Sequence, residues 1–137
     1  MSRTQGSQDL GKAVIRIVLG VLILLHGIAK LMAGPGFVIQ TVTQAGLPSY
    51  VAYGVYIGEV VAPILLIIGL WTRPAALIVA INMIFALALV HAGQLNMINK
   101  NGGWELELQG MFLASAIAVA LLGAGRLSVG GVDGKWN

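Results

Sequence analysis

Four long apolar runs, near residues 13–33, 49–70, 75–93 and 105–124, constrain this chain more than any other feature. A bilayer's hydrocarbon core is about 30 Å thick and takes roughly 20 apolar helical residues to cross, and each run reaches that length. Composition points the same way. Of 137 residues, 58% are hydrophobic and only 9% charged, against about a quarter charged in an ordinary soluble domain. So little charge cannot cover a water-exposed surface. The expected fold is all-α, an integral membrane four-helix bundle forming a single domain over 1–137.

The connections fit that count. Arg3 and Lys12 precede the first run, which reads as a retained span because no small-x-small cleavage site precedes His26 and Lys30. Pro35, Gly36, Gly46 and Pro48 break the chain after it. Trp71, Thr72, Arg73 and Pro74 form a turn so short that spans two and three must be antiparallel neighbours. The stretch 37–45 mixes Phe37, Val38 and Ile39 with Gln40, Thr41 and Thr43, as expected of a short amphipathic segment along the membrane surface. Between His91 and Trp104 the glycines and asparagines suit a solvated loop.

Basic residues near span ends are retained on the cytoplasmic side. Arg3, Lys12, Arg16, Arg73, Arg126 and Lys135 fall on one face and Lys30 and Lys100 on the other, which sets both termini in the cytoplasm. The net charge of +3 is scattered singly, with no cluster to track a phosphate backbone, so nucleic acid is not an expected partner. The bilayer is. Cysteine is absent, which excludes disulfides, thiolate metal sites and a thiol relay within this polypeptide. No metal site is expected.

An ionisable side chain inside a span costs on the order of 2.5 to 3.5 kcal/mol, so each one asks for a partner or a purpose. His26 and Lys30 are four residues apart, on one helix face in the outer half of span one. Glu59 lies roughly 15 Å into span two at about 1.5 Å per residue. His91 ends span three and Glu105 begins span four on the same side. The bland reading makes Lys30 snorkel to headgroups and Glu59 pin two helices; the functional one makes the five residues a pocket for a small hydrogen-bonding molecule or a proton. Pro63 lacks the N–H that would bond the Glu59 carbonyl, which favours a distorted helix there. Asn82 reads as an interhelical hydrogen bond, and Gly54 and Gly58 as a close helix contact serving the bundle or a homo-oligomer. His26 and His91 could be imagined as haem ligands, but paired histidines alone do not specify haem.

Taken in order, Arg16 with Leu19 and Gly20, His26, Gly27, Lys30 and Leu31, Gly46 to Pro48, Glu59, Gly69 to Ala76, Gly102, Gly103 and Glu105, then Gly125, Arg126 and Ser128 resemble the DoxX family of small four-helix membrane proteins of bacteria and archaea. The resemblance covers nearly the whole chain. It departs at the tail, where Val129 to Val132 precede Asp133 instead of an acidic residue closely following the serine. It implies a multi-pass protein of the inner (plasma) membrane and a membrane oxidoreductase component, with a quinone as the small molecule and a redox partner subunit. It supplies no catalytic residue set. A chain without cysteine or a nucleotide motif must take its electrons from a partner or a bound cofactor. The alternatives are a non-enzymatic scaffold or assembly subunit, and a transporter of a small solute or protons.

Overall fold

The computed structural model describes residues 2–137 and is helical apart from an isolated bridge between Ile98 and Trp104. Helix α1 runs Arg3–Ala33, α2 Gly36–Gln44, α3 Val51–Ile68, α4 Thr72–Leu89 and α5 Glu107–Leu122. Helices α1, α3 and α4 are long and apolar enough to cross a membrane; α5 is apolar but shorter.

Local chemistry sets the ends. Ser2 caps α1 by accepting the Gln5 amide, and Gly34 ends it in a backbone region, φ 82°, open to glycine. A left-handed Gly69 ends α3. The tight connection predicted at 71–74 is shorter still, because Thr72 to Pro74 already belong to α4; proline is tolerated in a first turn, where its missing N–H has no helical partner to lose.

Small residues let the four long helices approach closely. Leu19 and Ile23 of α1, Ala62 and Leu66 of α3, Ala75, Ala76, Val79 and Met83 of α4, and Phe112, Ala116 and Val119 of α5 form one core. Only 28%, 33% and 33% of the residues in the three apolar windows are buried, so the outward faces are as apolar as the inside. Such a surface belongs in lipid. Helix α2 lies over the end of α3, and Val38 and Val42 pack on Ala52 in a second, smaller cluster.

Arg16 differs from its expected place. It is not a flanking charge but a fully buried one, because α1 begins at Arg3 and not near residue 13. Its guanidinium donates to the carbonyls of Leu66, Ile67 (2.8 Å) and Leu127 (2.6 Å), so it closes the end of α3 and ties the tail to it. Arg73 likewise donates to the carbonyls of Ala120 and Leu121 at the end of α5, both at 2.7 Å. The tail folds back: Asn137 is buried, and its side chain accepts from the Thr72 hydroxyl (2.7 Å) and donates to the Gly131 carbonyl (2.7 Å). Arg126 pairs with Asp9 of α1 at 3.7 Å, which brings both ends of the chain to one end of the bundle.

Candidate functional site

At the opposite end of the bundle, Glu59 is buried with its side chain 4% exposed, against 35% for Lys30. The Lys30 ammonium donates to both carboxylate oxygens at 2.6 Å. The Asn82 amide donates to Glu59 Oε1 at 3.0 Å. Three helices thus converge on one carboxylate, α1 through Lys30, α3 through Glu59 and α4 through Asn82. Pairing and hydrogen bonding are what make a buried carboxylate tolerable.

The backbone is shaped to this end. Ile57 to Val61 form a π turn inside α3, with the Ala62 amide bonded to the Ile57 carbonyl. Pro63 follows it and leaves the Glu59 carbonyl without its α-helical donor. That carbonyl presses on Gly27 of α1, where a Cβ would overlap it. On the residue before it, Gly58 gives Asn82 room: a Cβ there would stand 2.7 Å from the Asn82 Cβ. Glycines at these two points let α1 and α4 close on Glu59 from both sides. Single π turns inside helices recur at functional sites.

Two cavities meet the pair. One of about 220 Å³ is roofed by Phe37, Val38, Thr41 and Val42 of α2 and floored by Lys30, Glu59 and Asn82, with Phe85 and His91 at its wall. A recess of about 90 Å³ on the other side is lined by His26, Lys30, Glu59, His91, Gln109 and Phe112. Lys30, Glu59 and His91 border both.

Four of the five predicted site residues, His26, Lys30, Glu59 and His91, therefore come together. The His26 ring meets Phe112 edge-on at 5.8 Å, and His91 Nδ1 is 2.7 Å from Gln94 Oε1. Glu105 does not join them. It is exposed in the turn before α5, because the loop doubles back on itself: its amide donates to the Met97 carbonyl, and Trp104 Nε1 donates to the Leu95 carbonyl at 2.8 Å. The recess between the histidines has room for a small molecule or water, not a porphyrin. Among the described residues, no three His, Asp or Glu side chains gather as metal ligands would.

Reading the sequence undervalued Asn82. It does bond between helices, as expected, but onto the carboxylate itself. Its signal was present: a lone amide in the middle of an otherwise apolar span needs a polar partner at the same depth.

This is a helical membrane protein with a buried ion pair beneath one end, and it belongs to the DoxX family, whose pattern matches residues 11–92. Over 123 residues the chain is 28% identical to "Putative oxidoreductase CatD" of Bacillus subtilis (strain 168), an alignment covering 90% of this chain and 87% of that one. It is 39% identical over 99 residues to an uncharacterized protein of Haemophilus influenzae (strain ATCC 51907 / DSM 11121 / KW20 / Rd), covering 70% of this chain and 72% of the relative. No solved structure matches significantly.

Proposed function

We propose that the chain is a four-span inner-membrane protein with cytoplasmic termini, a subunit of a membrane redox system that binds a quinone or similar carbonyl-bearing ring in the outer half of its bundle. One observation carries this reading: the Lys30–Glu59–Asn82 cluster forms the floor of the 220 Å³ cavity beneath α2. Lys30 has three donors and Asn82 two. With two and one of these spent on Glu59, each keeps an N–H for a quinone carbonyl. Glu59 in turn can accept from a quinol hydroxyl. His91, at the edge of both cavities, is placed to pass a proton between the recess and the ring. The relative named as an oxidoreductase supports the redox class. Electrons come from a partner or a bound cofactor, since the chain has no cysteine. The preponderance of basic residues at the Arg16 end supports cytoplasmic termini.

The test is quinone binding by the purified protein in lipid nanodiscs. The wild type is expected to bind a benzoquinone and its quinol, and Glu59→Gln to weaken the quinol by about tenfold, the loss of roughly one charge-assisted hydrogen bond. Wild-type protein that retains no quinone refutes the proposal. The second reading is an assembly subunit. It is favoured by the way the same three side chains tie α1, α3 and α4 together. It expects Glu59→Gln to reduce incorporation into a larger complex, with no ligand affinity to lose.

A further inference from the structure

The cavity over Glu59 is not closed along α4. It adjoins a second one of about 190 Å³ lined by Val51 and Gly54 of α3 and by Ile78, Ile81, Phe85 and Leu89 of α4. Val42, Val55, Asn82, Phe85 and Leu89 border both cavities, so the two are halves of one slot. Their chemistry is unequal. The first has a cation, a carboxylate, an amide and an imidazole at one end, whereas Asn82 is the sole polar side chain lining the second.

Ile78, Ile81, Phe85 and Leu89 follow one another at three- and four-residue steps along a single face of α4. That stripe runs about 16 Å along the helix at about 1.5 Å per residue. Gly54, Ile78 and Ile81 are exposed on the outward surface of the bundle, where the surroundings are lipid. At Gly54 a Cβ would meet nothing within 4 Å, so the slot is open at that point.

We infer that the ligand is amphipathic: its ring sits over Glu59, and its apolar chain lies in the groove between α3 and α4, entering sideways from the bilayer past Gly54. This rests on the ring-binding reading above and adds to it the class of molecule, a membrane-dissolved quinone with a hydrocarbon tail, and its route. A water-soluble ring would need neither the apolar half of the slot nor an opening toward lipid. The chain excludes little water that the bilayer had not already excluded, so the groove contributes by contact and alignment more than by the hydrophobic effect.

The experiment compares two probes, a dimethoxy-methyl-benzoquinone and the same ring carrying a decyl chain, in equilibrium binding to full-length protein. Nanodiscs of one phosphatidylcholine and phosphatidylglycerol mixture serve the wild type and the variants, so that partition of the probe into lipid cancels in the comparison. The wild type is expected to prefer the tailed probe by about tenfold after lipid partition is subtracted, and Gly54→Leu to reduce that preference to about twofold while tail-less binding is unchanged. Leucine at 54 enters open space on a helix and favours the helix over glycine, so the variant should fold. Should it nevertheless lose both probes, Ile81→Trp at the opposite lip of the groove decides by the same ratio. A tail preference unaltered in both variants, or a wild type that binds both probes equally, overturns the inference and leaves ring binding standing. A wild type that binds neither removes both.

Discussion

Glu59 depends on two donors of unequal weight, and the two ways of breaking its ion pair should differ in cost. Lys30→Met leaves a carboxylate that is 4% exposed without its cation, which should cost about 3 kcal/mol. Glu59→Gln leaves an ammonium that is 35% exposed and can snorkel to the headgroups, at about 1 kcal/mol. Thermal unfolding in one detergent ranks the two; equal or reversed losses would show that Lys30 is not what sustains the carboxylate. Gly27→Ala should be worse than its single methyl suggests, at about 2 kcal/mol or more, because the obstacle is the Glu59 backbone and not a side chain that can move aside. Lys30 and Glu59 were legible in the sequence because span order fixes their depth. Arg16 and Glu105 were not. The first required knowing that α1 begins ten residues before its apolar run, and the second that the loop before α5 turns back, neither of which hydropathy encodes.

Among the elements, α2 is held most lightly. Of its nine residues only Val38 and Val42 are buried, and Gly34 and Gly46 flank it with φ near 82° and 79°. Its amides should exchange with solvent deuterium on the order of a hundredfold faster than those in the middle of α3 or α4, as expected where few apolar contacts oppose local opening. Protection equal to that of the long helices would mean the roof of the site does not open on its own. The amphipathic mixture at 37–45 announced this helix in the sequence. The π turn was half legible: Pro63 indicated a distortion at Glu59, but its form depends on Gly27 standing opposite it and on Gly58 within it facing Asn82, which only the packed bundle reveals.

At the scale of the whole molecule, two polar layers close the ends of an apolar bundle. Arg16 and Lys30 are fourteen residues apart on α1, about 21 Å at about 1.5 Å per residue. Arg16→Lys should destabilise the fold by about 2 kcal/mol, because an ammonium cannot reproduce the fork that reaches three carbonyls on two segments. At that separation quinone affinity at the other layer should be unchanged, and a parallel loss in both would show the layers to be coupled. A fluorescent protein fused after Asn137 should mature and glow in the cytoplasm, whereas alkaline phosphatase activity from the same position would invert the orientation. The pair at Glu59 carries one positive and one negative charge, which cancel over 2.6 Å. A chamber whose charges sum to zero in a low-dielectric wall offers no net attraction to an ion of either sign, while the cost of stripping an ion's hydration remains. The bundle should therefore discriminate by electroneutrality, admitting uncharged guests from the lipid phase and turning away the carboxylates, phosphates and amines dissolved on either side.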